Sequence, residues 1–185
     1  HTDHIGSLGT LIEYAYFNMN KKVNLILEEN LKNITSIKEI LNYCGVTREM
    51  YNVTYTKYII GMYETFNKVS YIETRHTDTL NAYSLIFLTN NGVVFYSGDT
   101  NNATYLEYLL ITGTNFERIY IETTLNESSP VHLPLSKLSS LVPEELKSKV
   151  FCMHLESQEC IEKVIENGFN VVEIEKSSRR LIKRK

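Results

Sequence analysis

The feature that most restricts the fold of this chain is the alternation of strand-like and helix-like segments in its second half. From residue 93 onward, short apolar runs typical of buried strands are separated by runs with apolar residues at helical spacing. The predicted strands after that point cover 116–123, 149–155 and 169–175, and the predicted helices cover 101–113, 133–141 and 157–168. This alternation indicates a layered α/β architecture with parallel strands.

The first half of the chain has a different pattern. Its predicted elements are a helix over 5–19, a strand over 21–29, a helix over 34–45, a strand over 68–75 and a hairpin over 83–99. The hairpin is predicted because Asn91-Gly92 separates two strand-like runs, and Asn-Gly is a strong turn signal. We therefore expect a mixed sheet with helices outside it. No internal repeat or linker interrupts the chain, so a single domain over 1–185 is expected.

Charge is distributed unevenly along the sequence. The net charge is −3, but the tail 177–185 holds five basic residues and no acidic one. Without the tail, the chain has 14 basic and 22 acidic residues, which gives a net charge of −8. Such an acidic body is a poor general surface for a phosphate backbone. The tail is either a contact for nucleic acid or a membrane surface, or a solvated terminus.

The three cysteines, Cys44, Cys152 and Cys160, form no Cys-x-x-Cys pair and are odd in number. This usage favours a reducing compartment, and we expect a cytoplasmic protein. No apolar run reaches the roughly 18 residues that a membrane-spanning helix needs, so no membrane partner is expected.

Chemistry-bearing side chains follow several predicted strands. His76, Asp99 and His154 each lie at or just beyond a strand's carboxyl end, where side chains from different strands can converge. The stretch His1-Thr2-Asp3-His4 adds two imidazoles and a carboxylate. Imidazoles and carboxylates that leave coordination positions open suit a hydrolytic metal centre. Alone, each residue has an ordinary explanation, since strand-end histidines are commonly hydrogen-bonded and Asp99 could cap a helix.

The ordered set resembles the metallo-β-lactamase superfamily, whose metal signature is H-x-H-x-D-H followed by a separate His, an Asp after a strand and a final His. Here HTDH matches the second half of the first motif, and His76, Asp99 in YSGDT and His154 in MHLES match the rest. The resemblance covers nearly the whole chain. It implies an αββα sandwich of mixed sheets with outer helices. The first His of the signature and the strands before it are absent from this chain, so we expect an upstream segment or a separate chain to complete the fold.

The resemblance also implies a ligand set for two divalent ions. The first ion would bind His1, His76 and the absent His, the second Asp3, His4 and His154, and Asp99 would bridge them. Ligation by nitrogen and oxygen without thiolate favours Zn²⁺, and Mn²⁺ or Fe would also be served. Asp3 would thereby take part in catalysis.

A second resemblance concerns the segment RIYIETTLNESSPVHLPLSKL. It is similar to the part of ribonuclease Z-like members that carries a His-Glu-Ala-Thr motif and a later His. Glu122 and Thr124 keep their places, Ile121 replaces the motif's His, and His132 corresponds to the later one. The resemblance implies that Glu122 and His132 act together as catalytic residues near the leaving group.

These implications predict a dinuclear metal-dependent hydrolase, a phosphodiesterase in which metal-bound hydroxide attacks phosphorus. Its substrate would be a small phosphodiester or a nucleic acid, and the family allows a homodimer. An alternative is a carboxylic ester, thioester or lactone hydrolase of the same superfamily, because the same ions polarise a carbonyl. A third reading is a non-catalytic, metal-free scaffold that binds nucleic acid or a partner through its basic tail.

Overall fold

The computed structural model describes residues 1–29 and 36–173. The chain divides into two compact units, His1–Ile60 and Gly61–Lys185. The single domain expected over 1–185 stays a prediction. Among the described helices, none has the length and apolar character that a membrane span requires.

The first unit contains a small parallel sheet beside helices. Its elements are α1 (Thr2–Ile5), α2 (Leu8–Met19), β1 (Val23–Glu28), α3 (Ser36–Tyr43), a 3₁₀ turn (Arg48–Met50) and β2 (Tyr51–Thr56). The two strands pair in parallel from Val23 opposite Tyr51 to Glu28 opposite Thr56. The core of this unit consists of Ile12, Leu41, Val46, Met50 and Tyr51.

The helix expected over 5–19 is α2, which begins at Leu8, and the short helix α1 before it was not expected. The interruption falls at Gly6-Ser7, between α1 and α2, because glycine is a poor helix former and serine favours the flanking positions. Helix α2 ends at Asn20, which adopts a left-handed conformation (φ 50°) and donates its backbone N–H to the Ala15 carbonyl. That is a usual role for asparagine at a helix end.

The second sheet has seven strands in the order β3-β4-β5-β6-β7-β8-β9. Their bounds are Tyr58–Tyr63, Phe66–Thr74, Ala82–Leu88, Val93–Tyr96, Phe116–Glu122, Val150–Met153 and Asn170–Val171. Strand β5 is antiparallel to both β4 and β6, which confirms the hairpin at Asn91-Gly92. Strands β6 to β9 are parallel, which confirms the architecture expected from residue 93 onward.

Helices and a 3₁₀ turn connect these parallel strands. They are α4 (Thr104–Ile111), α5 (Leu135–Leu141), the turn Glu144–Lys149 and α6 (Gln158–Glu166). Alternate residues of β7, such as Ile119 and Ile121, are buried in the core that also receives Leu106 of α4 and Val164 of α6. The strand alternation thus sets one face of the sheet against the helices and the other face away from them.

This topology fixes where the strand ends lie. Because β5 runs against both of its neighbours, β4 has the same direction as β6, and β7 and β8 follow β6 in parallel. The carboxyl ends of these four strands therefore meet at one edge of the sheet. The strand expected over 169–175 is described as Asn170–Val171, while residues 174 and 175 and the basic tail 177–185 lie outside the described residues.

Candidate metal centre

Four strands deliver chemistry-bearing side chains to the same edge of the second sheet. His76 lies two residues beyond β4, Asp99 three beyond β6, and His154 directly after β8. Glu122 is the last residue of β7. The convergence expected at strand ends is therefore present in the second unit, with Glu122 at its centre.

His76 is held in a defined orientation. Its side chain is 5% exposed, and its Nδ1 lies 2.8 Å from the Val131 carbonyl oxygen. Since a carbonyl can only accept, Nδ1 carries a proton, and in the neutral tautomer Nε2 is therefore the nitrogen with a free lone pair. Nε2 lies 3.8 Å from Asp99 Oδ2. A backbone carbonyl that fixes the tautomer of a histidine in this way is typical of metal ligands.

Glu122 is a buried carboxylate, only 1% exposed, bonded on both oxygens. Oε1 accepts the backbone N–H of Thr100, and Oε2 lies 2.5 Å from His132 Nδ1. Burial raises the pKa of Glu122 to about 8, and Asp99 also raises it. The Thr100 N–H and His154 act in the opposite direction. Near neutral pH in the metal-free protein, a proton therefore resides within the Glu122–His132 pair.

The three histidines of this unit form a row. The ring centroid of His132 lies 5.3 Å from that of His76 and 5.2 Å from that of His154. His154 Nδ1 also lies 3.7 Å from Glu122 Oε2. The residues of the second unit that were predicted from the sequence therefore lie together. Each of them contacts at least one other member of the group: His76, Asp99, Glu122, His132 and His154.

The donor set fits a divalent metal ion. Within the described part of the second unit, Asp99 offers an atom within 4.8 Å of one from His76 and of one from His154. Glu122 and His132 also each offer an atom within 4.8 Å of one from His76, but these two side chains bond to each other. Nitrogen and oxygen donors without thiolate suit Zn²⁺, Mn²⁺ or Fe. The clearest indication of a cation site is the position of His76 Nε2, which is fixed by the Val131 carbonyl and lies 3.8 Å from Asp99 Oδ2.

The turn between β6 and α4 positions Asp99. Ser97 receives the backbone N–H of Glu122 on its hydroxyl at 3.0 Å, which joins the end of β6 to that of β7. Gly98 adopts φ +60°, and a Cβ there would lie 2.6 Å from the Tyr83 carbonyl oxygen. Only glycine fits this approach without displacement, so Gly98 is what allows the turn to place Asp99 at the edge.

The loop after β8 is joined to the loop after β7. Glu156, two residues after His154, accepts the Leu125 backbone N–H at 2.9 Å and the Thr124 hydroxyl at 3.0 Å on Oε1. Partial burial acts to raise the pKa of Glu156, but these hydrogen bonds outweigh it, and the pKa lies below its usual value. His154 itself has φ +58°, an uncommon backbone conformation for a residue other than glycine.

The remaining sequence-predicted residues belong to the first unit. His1 precedes α1, and Asp3 and His4 lie within it, with His4 Nε2 3.5 Å from Asp3 Oδ2. All three are exposed. Their assignment as ligands, and that of Asp3 as a catalytic residue, stay predictions from the sequence.

Three groups that hold the site in place were not predicted from the sequence. The Val131 carbonyl and the Thr100 N–H are backbone groups, and a sequence pattern carries no signal for either. Glu156 resembles any acidic residue that precedes a helix. Its proximity in sequence to His154 is the one signal that could have singled it out.

The fold is that of metallo-β-lactamase proteins. The metallo-β-lactamase fold protein YhfI from Bacillus subtilis is similar with a TM-score of 0.65 and 12% identity, over 94% of this chain and 71% of that one. Igni18, a metallo hydrolase from the archaeon Ignicoccus hospitalis, is similar with a TM-score of 0.53 and 13% identity, over 94% and 72% of the two chains. The expected fold class is thereby confirmed.

Sequence comparison gives the family. The Anti-Pycsar protein Apyc1 of Paenibacillus sp. (strain J14) is 29% identical over an alignment of 162 residues, and the match covers 83% of this chain. The match spans 64% of that relative's length. The family model of the Anti-Pycsar protein Apyc1 matches residues 1–175. The chain therefore belongs to the Anti-Pycsar protein Apyc1 family.

Proposed function

We propose that this protein is a metal-dependent hydrolase and that its substrate is a small phosphodiester such as a cyclic nucleotide. The observation that carries the proposal is the gathering of His76, Asp99, Glu122, His132 and His154 at one edge of the second sheet. Imidazoles and carboxylates that converge in this way suit metal-assisted hydrolysis. The ribonuclease Z-like resemblance of the 118–138 segment adds to the case for phosphorus rather than carbon as the centre attacked.

The residues divide between two tasks. His76, Asp99 and His154 would hold the metal, and the resemblance extends this assignment to His1, Asp3 and His4. Divalent cations supply Lewis acidity and a lower pKa for water, so that a nucleophile forms near neutral pH. Zn²⁺ is the proposed ion, with Mn²⁺ or Fe as substitutes.

His132 and Glu122 would serve proton transfer. Glu122 holds Nδ1 of His132, so the ring presents Nε2 to a departing oxygen. A proton donated there prevents a poor leaving group from departing as a free alkoxide. The position of Glu122, buried and bonded by the Thr100 N–H, keeps the ring from turning away.

The size of the substrate is inferred from charge. A body with a net charge of −8 repels a long phosphate backbone, whereas a small phosphodiester presents one negative charge. The Paenibacillus relative is named for an action against Pycsar. An enzyme that hydrolyses a small phosphodiester agrees with the charge of the body, and the cytoplasm is its proposed location.

A substrate screen tests the reaction class. The full-length protein loaded with Zn²⁺ or Mn²⁺ would be assayed on bis-p-nitrophenyl phosphate, on 3′,5′-cyclic nucleotides and on p-nitrophenyl acetate. Turnover of the phosphodiesters with little turnover of the ester supports the proposal. The reverse preference would establish the carboxylic ester hydrolase instead, and no turnover with nucleic-acid binding through 177–185 would establish the scaffold.

The leaving group tests the role of His132. For His132→Ala, we expect hydrolysis of a cyclic nucleotide, which expels an alkoxide, to fall by about 10²–10⁴-fold, the usual scale of general acid catalysis. Hydrolysis of bis-p-nitrophenyl phosphate should fall far less, because p-nitrophenolate departs without a proton. Equal losses on both substrates would exclude His132 as the proton donor.

A further inference from the structure

The carboxylate of Glu156 bonds across two loops that each carry a residue of the candidate site. Glu156 belongs to the β8–α6 loop, two residues after His154. Its partners Thr124 and Leu125 belong to the β7–α5 loop, two and three residues after Glu122, and it also bonds the Cys160 thiol of α6. A single side-chain oxygen therefore connects the backbone that carries His154 to the backbone that carries Glu122.

Thr124, which donates its hydroxyl to Glu156, is itself held by several hydrogen bonds. The Thr124 N–H donates to the Leu133 carbonyl at 3.0 Å, and the Thr124 carbonyl accepts the Leu135 N–H at 2.9 Å. The Thr124 hydroxyl accepts the Asn126 N–H at 3.1 Å while it donates to Glu156. Thr124 thus closes the loop that returns His132 to Glu122, and every polar group of Thr124 has a partner.

The backbone at His154, on the other loop, has a strained conformation. His154 adopts φ +58°, a left-handed conformation that is unfavourable for a residue with a side chain. Beyond it, Ser157 caps α6 by accepting the Cys160 N–H at 3.1 Å. Glu156 lies between the strained residue and the cap, so its bonds join the strained turn both to the β7–α5 loop and to Cys160 of α6.

From this geometry we propose that Glu156 is a positioning residue, which acts through Thr124 and Leu125 to set His154 against the Glu122–His132 pair. The inference rests on the proposed function for its catalytic consequence, but its structural content stands on the hydrogen bonds. The proposal also gives a role to Thr124, the threonine that the chain shares with the ribonuclease Z-like motif. The hydroxyl of Thr124 joins the β7–α5 loop to the β8–α6 loop. Outer partners of this kind typically contribute 10- to 100-fold to activity or metal affinity.

Three variants of the full chain test the proposal. Glu156→Ala removes both cross-loop bonds together with the bond to Cys160, whereas Glu156→Gln keeps an oxygen that can accept from both loop donors. Glu159→Ala is the matched control, since it removes one carboxylate from the first turn of α6 and lies on the exposed surface. For Glu156→Ala, we expect kcat on a 3′,5′-cyclic nucleotide, whose alkoxide leaving group needs a proton from His132, to fall about 10- to 100-fold with KM nearly unchanged. Glu156→Gln should restore most of it, and Glu159→Ala should match the unaltered protein.

A readout without turnover separates this inference from the proposed function. In the metal-free protein, Glu156→Ala should speed hydrogen exchange at the Leu125 amide and shift the imidazole NMR signals of His132 and His154. Both effects should be absent in Glu159→Ala. Unaltered Leu125 exchange and unaltered imidazole signals in a folded Glu156→Ala protein would overturn the inference, whatever the activity. If Glu156→Ala does not fold, Thr124→Val, which removes only the hydroxyl bond, should shift the same two imidazole signals, and unaltered signals there would overturn it equally.

Discussion

At the scale of single residues, the candidate site depends on two buried side chains held by backbone groups. The Val131 carbonyl fixes which nitrogen of His76 carries a proton, and the Thr100 N–H fixes one oxygen of Glu122. Backbone groups cannot rotate away, so they orient a side chain more firmly than a mobile partner would. The reactive atoms of the site are therefore set before any metal or substrate binds.

The buried carboxyl of Glu122 should make the stability of the metal-free protein depend on pH. Its folded pKa of about 8 lies above the unfolded value of 4.5. Between these values the folded state binds the extra proton, so the free energy of unfolding falls as pH rises from about 5 to 8. Glu122→Gln should lack this component. Urea unfolding at pH 5 and pH 8, with chelator present, should show a smaller pH-dependent loss in Glu122→Gln than in the unaltered protein. Parallel losses in both would mean that Glu122 titrates near its ordinary value.

At the scale of elements, the turn between β6 and α4 sets the position of Asp99, and one glycine makes that turn. Gly98→Ala would bring a methyl group within 2.6 Å of the Tyr83 carbonyl oxygen at φ +60°. Gly113→Ala is the matched control, because Gly113 has φ +68° and no atom within 4 Å of the added carbon. Both variants carry the left-handed penalty of about 1–2 kcal/mol, and the steric term of about 1–3 kcal/mol falls on Gly98→Ala alone.

Chemical denaturation should therefore show a larger loss of unfolding free energy for Gly98→Ala than for Gly113→Ala. Because Asp99 follows Gly98 directly, the affinity for Zn²⁺ should fall in Gly98→Ala and stay unchanged in Gly113→Ala. Equal losses of stability and equal metal affinity in the two variants would show that the turn tolerates the methyl group.

Most of the helices and strands, and part of the candidate site, could be predicted from the sequence. The parallel strands and the hairpin followed from periodicity and from Asn91-Gly92, and the gathering of His76, Asp99 and His154 followed from their places at strand ends. The break at Gly6-Ser7 was missed because two weak helix formers do not always stop a helix. Glu156 was missed because its role depends on a loop more than 30 residues away in sequence, and spacing carries no information about such a partner.

At the scale of the whole molecule, metal binding should appear as stability. A ligand that binds only the folded state stabilises it by RT ln(1 + [L]/Kd), about 2.7 kcal/mol at a concentration of 100 Kd. We expect removal of metal by a chelator to lower the thermal midpoint of the full-length protein and readdition of Zn²⁺ to restore it. Elemental analysis should find about two ions per chain, the number that the two-metal resemblance implies.

His76 is the residue on which that stabilisation should depend most, because its ring is buried and its tautomer is fixed by the Val131 carbonyl. His76→Ala should lose metal and show no shift of the thermal midpoint on addition of Zn²⁺. Asp78→Asn is the matched control: Asp78 lies two residues away, is exposed, and pairs with Arg75 at 3.3 Å. It should keep the full shift. A midpoint that does not respond to the chelator in the unaltered protein would mean that the strand-end histidines hold no metal. A shift that survives in His76→Ala would mean that metal binds without His76.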